Sequence, residues 1–246
     1  MGTLTAPSFT FLVGFGAVCA ALFVALRHRT FRPDVPFGVA LSAGLVAMVS
    51  AAFGARMAYA ALNAAQVLRL DSGGLNWHGA ALAGVLAFAL MIRWRGLSPR
   101  LMWDSAAWFL PVIMLGAWWG CVPAACGFGA EVDTLADYPA FMVWLARDLT
   151  GTIAPRFATQ SLGMSAAFGA WLLLAVVGWR GWLVGRRFPF VLALMAASMF
   201  ALGFLRGDPA ADWLGLRADQ WLDLAACGGA LVWLLAPRRK QTAPDR

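Results

Sequence analysis

The chain has 246 residues, of which 61% are apolar and 13% charged, and its mean hydropathy of +0.72 lies far above that of an ordinary water-soluble domain. Its net charge of +7 comes from basic residues in short stretches between apolar ones, a placement that sets membrane topology and meets anionic headgroups, so a nucleic-acid partner is excluded. The composition is that of an integral membrane protein with little chain left for a soluble domain, read as one transmembrane domain over residues 1 to 246.

In chain order, the apolar stretches are 8 to 26, 37 to 64, 77 to 92, 101 to 122, 160 to 179, 188 to 205 and 219 to 236, each bounded by charge, Pro or Gly. A span needs roughly 20 apolar residues to cross a hydrocarbon core of about 30 Å. Backbone groups in lipid must be paired within their own segment, which predicts an all-α fold of seven transmembrane helices. The second stretch is longer than a span requires and the third is short, so tilt or a re-entrant piece near residues 65 to 77 is expected. The longest interruption is the outer segment 123 to 159. Within it PAFMVWLARDL has an apolar face too short to span, and predicts a short helix that either lies in the interface or covers the bundle.

The basic residues sort by loop. Arg27, Arg29 and Arg32 follow the first stretch; Arg93, Arg95 and Arg100 the third; Arg180, Arg186 and Arg187 the fifth; Arg238, Arg239, Lys240 and Arg246 the last. Thirteen of the nineteen Lys and Arg thus share one side, which makes that side cytoplasmic, puts the N-terminus out and leaves the C-terminus in the cytoplasm. Trp77, Trp94, Trp103 and Trp213 fall at predicted interfaces, where tryptophan anchors. Cys121 and Cys126 lie near the outer end of the fourth stretch, and their spacing decides neither a bond nor free thiols. No His or Cys spacing matches a zinc or haem site, so no metal and no cofactor is expected.

Polar residues inside apolar stretches ask for a partner or a task, since an ionised group near the bilayer centre costs about 2.5 to 3.5 kcal/mol on insertion scales. Arg56, Tyr59 and Asn63 in GARMAYAALN share one helical face. Either they form a pocket for an anionic headgroup, or the arginine snorkels or pairs with a neighbouring acid. His78, in SGGLNWHGAALAG, stands at the lip of the third stretch among glycines. It is either a residue satisfying a helix start or a proton carrier near neutral pH. Arg156 with Gln160 precedes the fifth stretch, and Arg206 with Asp208 follows the sixth. Both pairs fall on the outer side, as does His78, so several helix ends are expected to converge there.

In order along the chain these segments resemble the prolipoprotein diacylglyceryl transferases, seven-span bacterial membrane enzymes. GARMAYAAL is similar to that family's Gly-x-Arg-x-x-Tyr stretch, and SGGLNWHGAALAG to its Gly-Gly-x-x-x-His-Gly-Gly signature. GAWWGCVPAACGFG resembles the Gly-Arg loop that follows, RFATQSLGM the Arg-His-Pro-Ser-Gln-x-Tyr-Glu segment, and MFALGFLRGDPAADWLGLRADQWLDL the closing Arg-Phe-x-x-Glu-x-x-Arg segment with the Gln that opens the last span. The departures fall at Ala117 and Met199, where the family has arginines, at Gly163 and Gly203, where it has glutamates, and at Gly120 or Cys121, where it has a loop asparagine.

The resemblance implies transfer of a diacylglyceryl group from phosphatidylglycerol, or another anionic phospholipid, to the cysteine thiol of a lipoprotein precursor in the bacterial inner membrane. His78 is then the catalytic base. Arg56, Tyr59, Asn76, Arg156, Gln160, Arg206 and Asp208 are then the substrate-binding residues. The missing arginines weaken stabilisation of the departing phosphate. They keep open a second reading, a non-catalytic lipid-binding or structural subunit working with a membrane protein partner.

Overall fold

The computed structural model describes residues 7 to 63 and 74 to 237. Helices run over α1 (Pro7–Phe31), α2 (Phe37–Asn63), α3 (Trp77–Trp94), α4 (Pro99–Ala106), α5 (Leu110–Ala124), α6 (Thr159–Trp179), α7 (Arg187–Gly203) and α8 (Ala218–Leu235). Among the described residues, four segments are long and apolar enough to cross a membrane: Phe37–Leu62, Trp77–Trp94, Pro99–Ala124 and Thr159–Trp179; α7 is apolar but shorter. The protein is therefore mainly helical and suited to a bilayer. The expected re-entrant piece near 65 to 77 falls largely outside the described residues.

The fourth apolar stretch is two helices. Pro111, in the first turn of α5, lacks the N–H that would continue a helix from α4, and its fixed φ suits a new start, so the backbone restarts there. The core draws on α1 to α7, with Met102 of α4, Leu174 of α6 and Val191 and Met195 of α7 fully enclosed. Trp103 is part of that core. Its ring centroid sits 4.9 Å from Phe88, 4.6 Å from Phe188 and 4.9 Å from Trp233, so it packs the interior where the sequence reading placed an interfacial anchor.

Helices α2 and α3 approach through small residues. A Cβ on Gly54 would lie 2.5 Å from the Gly79 carbonyl oxygen, and one on Gly79 would lie 2.5 Å from Ala58 Cβ. Only glycine at both positions lets the two backbones come this close, the small-residue contact that replaces hydrophobic drive between helices in lipid. This contact fixes the start of α3 against the second half of α2.

Residues 139 to 149 do not form the expected short helix. Val143–Arg147 (β1) pairs antiparallel with Ile153–Phe157 (β2), Leu145 opposite Pro155, and a second small hairpin joins Asp212–Trp213 (β3) to Leu216–Arg217 (β4). The all-α expectation is corrected at these two places. The cause of the first is turn chemistry in DLTGT: Asp148 Oδ1 accepts from the Thr150 N–H at 2.9 Å and the Thr152 N–H at 3.0 Å, and Gly151 takes φ +91°. A closed turn with Val and Trp in the flanking strand outweighs a weakly amphipathic helix of eleven residues.

Asp148 ties this hairpin to charge. The Thr150 hydroxyl first, then the backbone N–H groups of Thr152 and Thr150 and the nearby Arg156 guanidinium, hold its carboxyl below the usual range. Its folded pKa is depressed, so its stabilisation is present above the unfolded value near 3.9 and is lost as pH falls through the folded one. Amide hydrogen exchange across 143 to 157, corrected for intrinsic rates, is expected to lose protection below about pH 4 while the protein is otherwise folded. Asp148→Asn should abolish that pH dependence.

Candidate active site

The site begins at the first turn of α3. Asn76 caps it: its Oδ1 accepts from the Gly79 N–H at 3.0 Å, and its own N–H donates to the Ala55 carbonyl at 3.0 Å, which pins the cap to α2. Gly74 has φ +82°, and the space a Cβ would need there is occupied by the Tyr59 ring. Arg56 is buried, donates from Nη1 to the Gly74 carbonyl at 3.2 Å, and lies 5.6 Å above the Tyr59 ring centroid. The resembling segment GARMAYAAL and the described residues 74 to 80 of the other, GLNWHGA, thus meet face to face, and Arg56, Tyr59 and Asn76 all bear on the turn that carries His78. The Asn63 side chain lies outside the described residues.

His78 is hydrogen-bonded at one nitrogen and unpartnered, among the described residues, at the other. Its Nε2 lies 2.7 Å from Asp223 Oδ1, both side chains being nearly enclosed. Its Nδ1 is buried and finds no hydrogen-bond partner among the described residues. Trp77 covers one side, with ring centroids 4.3 Å apart.

Beyond Asp223 a charged network spreads along the start of α8. Arg206 donates from Nε to Asp208 Oδ1 at 2.8 Å and from Nη1 to Asp219 Oδ2 at 2.8 Å, and its Nη2 also bonds Asp208. Arg217 donates to Asp219 Oδ1 at 3.1 Å and to the Asp208 carbonyl at 2.8 Å. Burial works against the Arg206 charge, but hydrogen bonding and attraction from Asp208 and Asp219 exceed it, and its pKa is raised. Burial, the His78 hydrogen bond and the charges of Asp219 and Arg206 all act on Asp223.

Arg156 and Gln160 form a separate network. Arg156 Nη2 reaches Asp148 Oδ2 at 3.0 Å and Glu131 Oε2 at 3.4 Å, with the guanidinium 5.1 Å from the Phe128 ring centroid. Gln160 donates to the Cys126 carbonyl at 3.1 Å, and Thr159 to the Gly127 carbonyl at 2.6 Å. Cys126 is bonded to Cys121 as a disulfide, the pairing the spacing left open. The extended segment 128 to 131 links the two networks, since the Ala130 N–H donates to the Leu205 carbonyl and the Ala130 carbonyl accepts from the Phe157 N–H.

Asp219, Arg217 and above all Asp223 were missed by the sequence reading. The signal was present: Asp223 lies inside the last apolar stretch, where an ionisable side chain asks for a partner, and Asp219 is on the same helical face one turn earlier.

The departures noted in the sequence have structural counterparts. The space a side chain would need at Gly163 is filled by the Trp118 indole, and at Gly203 by the Gln220 side chain. Gln220 in turn accepts from the Arg217 N–H and donates to the Phe200 carbonyl, both at 3.0 Å, stitching α8 to α7. Met199 lies in the apolar core at 8% exposure. Met199→Arg would force a guanidinium into that core at an effective cost of several kcal/mol. A fall of several degrees in the unfolding midpoint in detergent is the expected result, and an unchanged midpoint would show that the site accommodates the charge.

Fold and site together define a membrane protein of packed helices in which a buried histidine–aspartate pair adjoins several arginines. The sequence profile of the prolipoprotein diacylglyceryl transferase family matches residues 2–236, and the chain belongs to that family. It is 24% identical over 242 residues to phosphatidylglycerol–prolipoprotein diacylglyceryl transferase 2 of Clostridium perfringens (strain 13 / Type A), covering 92% of this chain and 89% of the relative. It is 29% identical over 264 residues to phosphatidylglycerol–prolipoprotein diacylglyceryl transferase of Frankia alni (strain DSM 45986 / CECT 9034 / ACN14a), covering 97% of this chain and 65% of that longer protein.

Proposed function

We propose that this chain transfers a diacylglyceryl group from phosphatidylglycerol to the cysteine thiol of a lipoprotein precursor, at the outer side of a bacterial inner membrane. The observation that carries the reading is His78, paired through Nε2 and left with a second nitrogen for a substrate. Only a thiolate is a good sulfur nucleophile, and a free thiol has a pKa near 8.5, so a base beside it raises the reactive fraction. His78 Nδ1 takes the thiol proton, sulfur bonds to the glycerol carbon, and the carbon–oxygen bond to phosphate breaks with its electron pair. Glycerol phosphate leaves, and the imidazolium proton passes to it.

Arg56 and Arg206 are the cations proposed to face the phosphate, supported by their attachment to the His78 turn and to the Asp223 network. Tyr59 and Asn76 hold that turn, Asp208 orients Arg206, and Arg156 with Gln160 orders the outer segment over which the precursor would approach. Seven spans forming one transmembrane domain, with the N-terminus outside, complete the proposal. The Cys121–Cys126 disulfide supports this orientation, because such bonds persist on the oxidising side of the membrane.

The carboxylates around Arg206 and the side chains filling the space at Gly163 and Gly203 favour a second reading, a non-catalytic lipid-binding subunit of a larger membrane complex. Purified protein incubated with a lipobox peptide and phosphatidylglycerol vesicles separates the two. Formation of a diacylglyceryl thioether supports the transferase. Absence of turnover, with phospholipid and a partner protein retained through mild detergent, supports the subunit.

A further inference from the structure

We infer that Asp223 is the positioning residue of His78, holding the imidazole as its Nε2–H tautomer so that Nδ1 keeps a lone pair for a substrate proton; this rests on the reading of His78 as the thiol base. Asp223 lies on α8 and is 2% exposed, 145 residues from the histidine it meets. An ionised carboxylate is an acceptor only, so the ring nitrogen 2.7 Å from its Oδ1 must carry a proton. A neutral imidazole has one ring proton, and Nδ1 is then bare. That nitrogen has no partner among the described residues, so nothing in the fold competes with a substrate for it. Burial, first, and Asp219 oppose the ionised carboxylate, while the His78 hydrogen bond and Arg206 favour it. Asn76, the cap, fixes the backbone on which the histidine sits, and Trp77 limits its rotation. The residue acts through His78 and touches no reacting atom.

The chain has two histidines, so in a His28→Gln background ¹⁵N-histidine labelling of the full protein in nanodiscs leaves the His78 ring as a single pair of nitrogen signals. Wild-type Asp223 is expected to give a protonated Nε2 and a bare Nδ1, assigned through couplings to the ring protons. Asp223→Ala should average the two signals, and Asp223→Glu should restore the pattern in part. In the thioether assay Asp223→Asn should lower kcat at least about tenfold, the effect of roughly 1.4 kcal/mol, with the KM for lipid little changed. A protonated Nδ1, or a pattern that Asp223→Ala leaves unmoved, overturns the assignment even in an active enzyme. A wild type that shows the Nε2–H pattern, loses it in Asp223→Ala, and has no turnover upholds the positioning and overturns the transfer reading.

Discussion

His78→Ala is expected to lower formation of the diacylglyceryl thioether by about 10²- to 10⁴-fold, the usual contribution of a positioned general base. The loss should fall on kcat, because in the proposed reaction the imidazole acts on the proton of the attacking thiol and not on the lipid tails. His28 provides the contrast. It is 1% exposed, and neither of its ring nitrogens has a partner among the described residues, so it contributes bulk and no hydrogen bond. His28→Leu removes two unsatisfied polar atoms from an enclosed position and should leave turnover unchanged and stability equal or higher. Equal rates for His78→Ala and the wild type would exclude the histidine as base.

The second large effect is structural. Gly79→Val is expected to lower the unfolding midpoint and to abolish turnover, although no residue of the charged network is altered. The added atoms would meet the Gly54 backbone carbonyl and Ala58 Cβ, neither of which is the free end of a flexible side chain. Helices α2 and α3 must then separate. Overpacking of this kind costs typically 1 to 3 kcal/mol and sometimes more. The separation would also break the register that joins Asn76 to Ala55 and Gly74 to Arg56, and His78 would move with its turn. Gly228→Ala is the control: nothing lies within 4 Å of its missing Cβ, and alanine is the better helix former by about 1 kcal/mol. Thermal unfolding followed by tryptophan fluorescence in detergent would measure both. A Gly79→Val protein with wild-type midpoint and activity would show that the close approach of the two helices is dispensable.

Three of the departures from the family pattern, one at an arginine position and two at glutamate positions, take on a physical form in the packed protein. Met199 is enclosed by apolar neighbours, and the space beside Gly163 and Gly203 belongs to Trp118 and Gln220. The electrostatics of the proposed transfer rest on Arg56, Arg206 and the pair formed by His78 and Asp223.

Residues that depend on their immediate neighbours were legible in the chain alone. Hydropathy marked the membrane class, and the helix α6, expected at 160 to 179, runs Thr159–Trp179. Pro, Gly and charge marked most other ends to within a few residues, because helix termination is a local matter of a missing N–H or a polar break. The ordered segments around Arg56 and His78 were enough to suggest the family. Residues 139 to 149 were misread because an apolar face was weighed without the turn chemistry of DLTGT that follows it. Tertiary structure alone decided the rest. The contact between His78 and Asp223 joins residues 145 positions apart, Trp118 takes the room left by Gly163, and Trp103 turns inward to meet Trp233. No periodicity encodes such pairs: each helix records only its own burial, whereas the partner across the bundle is set by which backbones approach closely enough, here through Gly54 and Gly79, to bring distant side chains together.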